Sequence, residues 1–209
     1  MKHLIITRLR YVDTELMKLR AKLMKEILIH CLKLQTNQNF IFSIIMFDND
    51  VEFVRELLEY DFISFEDYSF LKQYCIDNNI NIQTRHDSDD HMSDDYIEKI
   101  QNEYDNIIKI NDIFILQFQP EKINYRTGEQ LSLPQYTNEF ISGFITLCQS
   151  NVKYTVFEKS HTNMHLLTNN IYTYPTGYVK YYIHGKNDSL IPREERISQW
   201  KYNNGKYDK

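Results

Sequence analysis

The feature that most constrains the fold is a continuous apolar run at residues 40–47, which ends in Asp48-Asn49-Asp50. The run is rich in Ile and Phe and is broken only by Ser43. Such a segment, without polar alternation, is typical of a strand in a parallel sheet that is buried on both faces. A sheet of this kind needs helices on each side. We therefore expect an α/β protein whose polar residues gather where its strands end.

Strand-like and helix-like segments alternate along the rest of the chain. Besides 40–47, the pattern predicts strands at 3–7, 79–84 and 152–157, an apolar segment at 140–147, and helices at 15–34, 51–60, 65–78 and 93–103. It also predicts a β-hairpin in the C-terminal half, formed by 113–118, a turn at 126–129, and Leu131 with Leu133. This order predicts a Rossmann-type mixed sheet flanked by helices.

Composition excludes several classes of protein. The 209 residues fit one domain, expected at 1–191, with a polar C-terminal tail at 192–209. A net charge of -5 gives no overall attraction to nucleic-acid backbones. Three distant cysteines predict neither a disulfide framework nor a thiolate zinc site. The N-terminal apolar run is too short for a signal sequence or a membrane span, so we expect a cytoplasmic protein without a transmembrane segment.

Acidic residues cluster directly after the predicted strand at 79–84, in Asp87-Ser88-Asp89-Asp90. Carboxylates at the carboxyl end of such a strand can point into the crevice where open α/β sheets bind ligands. Mg²⁺ or Mn²⁺ is commonly held there by one or two carboxylates and the phosphates of a substrate. The alternative interpretation is a solvated acidic loop without a ligand, because short D-x-D patterns also arise by chance.

A calcium-binding EF-hand loop is excluded by the same segment. Asp87, Asp89, Asp95 and Glu98 fall at the first, third, ninth and twelfth positions of such a loop. The sixth position, where a sharp turn requires Gly, is Met92. The preceding residues alternate as a strand, whereas an EF-hand begins with a helix.

Several separated motifs resemble the rhamnosyltransferase family of nucleotide-sugar glycosyltransferases with the GT-A fold. The segment 84–90, T-R-H-D-S-D-D, resembles the family's T-R-x-D-x-D-D, and 182–187, Y-I-H-G-K-N, resembles its V-H-G-x-N. Thr7-Arg8 resembles its opening, and Arg20 followed by apolar residues and Gln35-Thr36 resembles another of its patterns. The strand at 40–48 matches its second strand.

The resemblance implies transfer of a sugar from a nucleotide-diphosphate donor to a hydroxyl, on a GT-A-like sheet and with Mn²⁺ or Mg²⁺ bound by the D-x-D. By motif position, Asp89 and His184 would be metal ligands, with His161 a second candidate for the position of His184. The residues expected at the donor are Thr7, Arg8, Arg85, Asp87, Asp90, Lys186 and Asn187. Arg85 has the alternative role of neutralising the carboxylates around it.

The catalytic base and the acceptor are less well defined by the sequence. Glu139 and Asp188 are candidates for the base by location alone, and Tyr125, Tyr136, Tyr172 and Tyr174 are candidates to line the acceptor site or to pack in the core. A saccharide or glycan acceptor is expected, whereas a modified DNA base is possible but not favoured. Two other interpretations stay open, a catalytically silent nucleotide- or partner-binding module and a structural cation-binding domain.

Overall fold

The computed structural model describes residues 1–124, 127–130 and 144–183. Its helices are α1 (Thr14–Met24), α2 (His30–Leu34), α3 (Val51–Leu58), α4 (Tyr68–Asp77) and α5 (Tyr96–Ile107). Its strands are β1 (His3–Arg8), β2 (Ile41–Ile45), β3 (Ile63–Phe65), β4 (Ile82–Arg85), β5 (His91–Met92), β6 (Ile113–Phe118), β7 (Glu121–Asn124), β8 (Ile145–Gln149), β9 (Ile171–Tyr174) and β10 (Val179–Ile183).

The strands form two sheets. The larger has seven strands in the order β3-β2-β1-β4-β8-β6-β9, and all are parallel except β8, which is antiparallel to both neighbours. The smaller has the order β5-β10-β7, with β10 antiparallel to β5 and parallel to β7. The prediction of a mixed sheet flanked by helices is confirmed.

Both faces of the large sheet are buried, as the apolar run at 40–47 predicts. Successive side chains of a strand point to opposite faces. Ile5 therefore belongs to the core beneath α1, α2, α3 and α5, whereas Leu4 and Ile6 belong to the core beneath α4, and all three are fully buried. Burying one such side chain contributes about 1.5–3 kcal/mol to the stability of the fold. The sheet lies between the two cores because it buries side chains of this kind on both faces.

One long helix follows β1 and runs from Thr14 to Leu34, as its apolar spacing predicts. Asp13 caps the start of this helix, because its carboxylate accepts hydrogen bonds from the backbone N–H groups of Glu15 and Leu16 at 2.9 and 3.1 Å. Its middle, Lys25–Ile29, is a π-helical turn that the sequence pattern does not predict. Such turns inside α-helices are rare and occur often at functional sites.

The segment 152–157 is not a strand, although its composition predicts one. Two buried glutamines bind its backbone in place of a neighbouring strand. The side-chain oxygen of Gln149 accepts hydrogen bonds from the backbone N–H groups of Lys153 and Tyr154, each at 3.0 Å, and that of Gln83 accepts one from Val156 at 3.1 Å. Because these bonds satisfy the backbone groups, the segment lies against the sheet as a loop.

The first strand of the predicted hairpin, 113–118, belongs to the large sheet instead. β6 pairs with β8 and β9 inside the large sheet, and the predicted turn instead follows β7. The backbone N–H of Asn124 donates to the carbonyl of Glu129 at 2.9 Å, and Gly128 adopts a positive φ of 71° in that turn. Leu131 and Leu133 lie outside the described residues, as does the tail at 192–209.

Candidate functional site

The carboxyl ends of β1 and β4 form the switch point of the large sheet. From β1 the chain adds β2 and β3 on one side, and then returns to add β4 on the other side of β1. The two strand ends lie side by side, because the backbone N–H of His86 donates to the carbonyl of Ile6 at 3.0 Å. Ligands of open α/β sheets bind in the crevice beyond such a point. Thr7, Arg8 and the acidic segment 87–90 therefore meet at the position where a ligand is expected.

The acidic segment is mostly buried. Ser88, Asp89 and Asp90 are 3%, 6% and 0% exposed, whereas the side chain of Asp87 is 42% exposed. A tight turn joins them, in which the backbone N–H of Asp90 donates to the carbonyl of Asp87 at 3.4 Å. A solvated acidic loop would expose all its carboxylates, so that interpretation does not describe this segment. Asp87 is the carboxylate of the segment that solvent reaches most readily.

A buried ion pair fixes the centre of the acidic segment. The guanidinium of Arg20, on α1, pairs with the carboxylate of Asp89, and the side chains are only 3% and 9% exposed. The guanidinium also lies 5.9 Å from the centre of the Tyr11 ring. Because each charge of such a pair loses its hydration, each depends on the other to compensate it. Asp89, which the sequence predicts as a metal ligand, is thus also the anchor of the turn.

The other end of the same long helix holds the residues that follow the turn. Gln35 donates a side-chain hydrogen bond to the carbonyl of Ser93 at 2.7 Å and accepts one from the backbone N–H of Ile97 at 3.0 Å. The backbone N–H of Thr36 donates to the carbonyl of Asp94 at 2.7 Å. The three residues of the Arg-apolar-Gln-Thr pattern, Arg20, Gln35 and Thr36, therefore fix the acidic segment and the start of α5.

Two buried polar side chains at the switch point have atoms with no hydrogen-bond partner among the described residues, namely Thr7 Oγ1 and His86 Nε2. His86 is fully buried, and its Nδ1 lies 2.9 Å from the carbonyl oxygen of Asp87. Burial lowers the pKa of His86 to about 4, so the ring is neutral near pH 7. Orphaned buried polar atoms are uncommon in native proteins and accompany functional sites. Thr7 was predicted at the site, whereas His86 was missed because a histidine between Arg and Asp carries no signal of its own.

Arg85 lies beside the accessible carboxylate. Its guanidinium is 3.9 Å from the Asp87 carboxylate and 5.1 Å from the centre of the Phe157 ring. At this distance the guanidinium offsets part of the negative charge of Asp87, which supports the neutralising role. Because the Asp87 side chain is 42% exposed, the pair contributes little to stability. Arg8 is partly exposed at the end of β1.

Several predicted residues are not part of this cluster. Tyr172 and Tyr174, on the edge strand β9, pack against Phe114 and Phe118, with ring centres 6.1 and 5.0 Å apart. Their packing role is therefore the one that the structure describes. The remaining candidates outside the described residues are Tyr125, Tyr136, Glu139, His184, Lys186, Asn187 and Asp188. The side chain of His161, in the 3₁₀ segment His161–Leu166, is also not described.

The residues at the switch point fit a hard divalent cation only in combination with a substrate. In the described part of the chain, no three or more His, Cys, Asp or Glu side chains are arranged so that they could hold a metal ion by themselves. Mg²⁺ does not require one, since one or two carboxylates and the phosphates of a substrate are its usual ligands. Asp87 and Asp89 supply carboxylates of the appropriate chemistry two residues apart in the turn.

Comparison with solved structures identifies the fold. The chain superposes on S. aureus TarS 1-349 in complex with UDP-GlcNAc with a TM-score of 0.55 and 13% identity, over 97% of this chain and 65% of the other. It superposes on S. aureus TarS 1-349 in complex with UDP with a TM-score of 0.50 and 13% identity, over 88% and 61% of the two chains. The chain has a GT-A-like fold. It spans less than two thirds of the length of the TarS chains that it matches.

The comparisons by sequence add no family. No family model and no curated protein matches the chain significantly. The comparisons therefore support the fold that the motif resemblance implies, but not the rhamnosyltransferase family itself. Among residues 1–124, 127–130 and 144–183, no helix is both long enough and apolar enough to cross a membrane.

Proposed function

We propose that the protein is a glycosyltransferase that moves a sugar from a nucleotide-diphosphate donor to a hydroxyl acceptor. The observation that carries the proposal is the convergence of the T-R-x-D-x-D-D segment with Thr7 and Arg8 at the switch point between β1 and β4. The likeness of the fold to TarS structures that contain UDP-GlcNAc and UDP supports a nucleotide-sugar as the donor.

Some residues of the switch point contact the donor in this proposal, and others stabilise the turn that carries them. In this proposal Thr7 and Arg8 contact the nucleotide, and Asp87 contacts the ribose or the sugar. The hydroxyl of Thr7, buried without a partner among the residues described, is suited to a hydrogen bond with the donor. Arg85 limits the repulsion between Asp87 and the donor phosphates, and Asp90 supports the turn from inside.

A divalent cation, Mn²⁺ or Mg²⁺, belongs to the proposal because carboxylates and phosphates repel each other without one. Asp89 would hold it, with Asp87 nearby and His184 as a further ligand from beyond the described residues. When bound, such an ion stabilises the negative charge that develops on the departing diphosphate. Lys186 and Asn187 would contact the same diphosphate and the donor. Arg20 pairs with Asp89 and holds its carboxylate in place, which is a positioning role.

The proposed reaction exchanges one bond for another at the anomeric carbon of the donor sugar. The acceptor oxygen forms a bond to this carbon while the bond from the carbon to the diphosphate oxygen breaks, and its electron pair leaves with the diphosphate. The acceptor hydroxyl loses its proton, and in an inverting enzyme a carboxylate accepts it. Glu139 and Asp188 are proposed for this role. A saccharide or glycan is the proposed acceptor. A modified DNA base is possible but not favoured, because it would need a local basic groove in a chain whose net charge is -5.

One observation favours a second candidate, a nucleotide-binding module without catalysis. Asp89 and Asp90 are buried, and the first of them is already paired with Arg20. Burial and this ion pair are sufficient for a turn that has only a structural role. Turnover distinguishes the two functions, because the transferase releases nucleoside diphosphate from the bound donor and the silent module does not.

The test is the thermal unfolding midpoint of the full chain with UDP-, GDP-, TDP- and CMP-sugars, with and without Mn²⁺. A ligand that binds only the native state raises the midpoint, by an amount that grows with its concentration. One nucleotide-sugar should raise it, more strongly with Mn²⁺, and Asp87→Asn should remove that increase. Asp61→Asn, which changes an exposed carboxylate elsewhere, should retain it. If no nucleotide-sugar raises the midpoint, the donor site is refuted. Release of nucleoside diphosphate then separates the enzyme from the silent module.

A further inference from the structure

A second polar groove lies beside the switch point. Its cavity, of about 380 Å³, is bounded by the long helix on one side and by the three-stranded sheet on the other. The helix contributes Glu26 and Ile27 from the π-helical turn, with His30 one turn later. The sheet contributes His91, Lys180, Ile123 and Gly128. His91 directly follows Asp90, so the groove continues from the acidic segment along β5.

The groove brings Lys180 close to both imidazoles. His91 and Lys180 are cross-strand partners on β5 and β10, which places their side chains on the same face of the small sheet. His30 faces them from α2, across the cavity. Lys180 supplies a positive charge, and a neutral imidazole can donate one hydrogen bond without being protonated. The groove thus offers an ammonium and two imidazole donors to one ligand, in a chain whose net charge is -5.

One carboxylate lines this groove and two others lie near it. Glu26 lies in its wall, Glu121 is the β7 partner of Lys180, and Asp94 acts electrostatically on His91. Glu26 is exposed to solvent, and Asp94 lies at the exposed turn before α5. The partly buried wall on the sheet side carries the ammonium of Lys180 and the imidazole of His91. A ligand with an anionic group would therefore orient this group toward β5 and β10.

The backbone around the groove is suited to a ligand rather than to closed packing. Glu26 and His30 are four residues apart on the long helix, a spacing that puts both on the face toward this cavity. Among the described residues, nothing lies within 4 Å of the position that a Cβ would occupy at Gly128, in the turn after β7. The turn therefore leaves open space at this end of the groove.

We infer that this groove is an acceptor subsite that binds an anionic oxygen group, a phosphate or a carboxylate, through Lys180, His30 and His91. The inference rests on the proposed function, because only a transferase needs an acceptor beside its donor site. It narrows the acceptor class to saccharides or glycans that carry such a group. Lys180 is the residue that distinguishes charged from neutral acceptors.

The experiment is a titration of the ¹⁵N-labelled full chain, observed by NMR at constant ionic strength and without nucleotide or metal. The probes are inorganic phosphate, glucuronate as the carboxylate, and glucose as a neutral control. Saturable shifts are expected at the amides of Ile27, His30, His91 and Gly128 with phosphate or glucuronate, and not with glucose. Which of the two anions binds more tightly identifies the group. Sodium chloride in place of the anion tests for a general salt effect.

Matched variants separate this subsite from the donor site. Lys180→Gln should weaken the binding of the anion by roughly tenfold, because a charge-assisted hydrogen bond is lost. His30→Gln, on the exposed side of the helix, should weaken it less, and Lys153→Gln, an exposed lysine elsewhere, should not change it. Equal shifts with chloride, shifts confined to 85–88, or unchanged binding in Lys180→Gln would each refute the inference. The nucleotide-sugar midpoint of Lys180→Gln, measured separately, should match the wild type, so that loss of the donor site remains a distinct result.

Discussion

The acidic turn at the end of β4 and the groove at β5 are adjacent in sequence but built in opposite ways. In the turn, Asp89 and Asp90 are buried and Arg20 holds Asp89 from a helix 69 residues earlier in the chain. In the groove, Glu26 and His30 are exposed, and the charged groups line a cavity. In the proposed function the donor binds at the rigid turn and the acceptor in the more open groove. The difference predicts that substitutions at the buried ion pair of the turn affect stability, whereas those at its exposed carboxylate Asp87 and in the groove affect binding.

The largest effect is expected from the buried ion pair. Arg20→Met leaves the Asp89 carboxylate buried and uncompensated, and should lower the free energy of unfolding by about 3–5 kcal/mol. The control is Lys18→Met in the same helix, whose pair with Glu15 is exposed and should contribute about 0–1 kcal/mol. Urea denaturation of the three proteins measures both. Equal losses in the two variants would show that the pair does not stabilise the turn.

Acid should destabilise the protein through two buried histidines. Burial lowers the pKa of His3 to about 3 and that of His86 to about 4. Below pH 6.5 the unfolded chain binds protons at these rings and the native state does not, so stability falls as the pH decreases toward 4. Each histidine contributes a slope of about 1.4 kcal/mol per pH unit at most. His86→Asn should make the dependence shallower between pH 6 and about 4, and an unchanged slope would contradict the burial of a neutral ring.

A smaller loss is expected at the other end of the long helix. Gln35→Ala removes the acceptor for the backbone N–H of Ile97 and the donor to Ser93. Leaving such groups unsatisfied costs about 1–3 kcal/mol. Gln73→Ala is the control, because its side-chain bond to Asp77 is exposed. Hydrogen exchange at the first turn of α5 should accelerate in Gln35→Ala only, and protection that is equal in both variants would contradict the bracing role of Gln35.

Of these variants, Asp87→Asn is expected to change stability least and nucleotide-sugar binding most. Its side chain is 42% exposed and 3.9 Å from Arg85, so Asp87→Asn should change the free energy of unfolding by less than about 1 kcal/mol. The increase in midpoint with nucleotide-sugar should nevertheless disappear. A variant that is strongly destabilised would instead give Asp87 the structural role assigned to Asp89.

The sequence predicts the fold well because periodicity reports burial directly. The doubly buried strand at 40–47 and the helix at 15–34 follow from side chains alone, and both form. The segment 152–157 is mispredicted because Gln83 and Gln149, distant in sequence, satisfy its backbone. Periodicity also does not show which strands pair. The sequence pattern therefore assigns β6 to a hairpin, whereas β6 pairs with β8 and β9.

The place of the acidic turn at the end of a strand follows from the sequence, whereas its burial does not. The motif 84–90 and the rule for strand ends locate the acidic turn, because both depend on local sequence. That Arg20 pairs with Asp89 depends on the three-dimensional path of the long helix, which no local pattern contains. His86 and the groove around Lys180 were missed for the same reason, since their lining residues come from separate elements.

The most direct test of the donor site is the location of bound Mn²⁺. The paramagnetic ion broadens the NMR signals of nearby amides, so a titration of the ¹⁵N-labelled chain with Mn²⁺, in the presence of the nucleotide-sugar that raises the midpoint, maps the site. Mg²⁺ serves as the diamagnetic control. The account predicts that the amides of 87–90 and of Thr7 and Arg8 broaden first, and that Asp87→Asn abolishes this selectivity. Broadening that begins at exposed carboxylates elsewhere, such as Glu59 and Asp61, would contradict a metal-assisted donor site at the switch point.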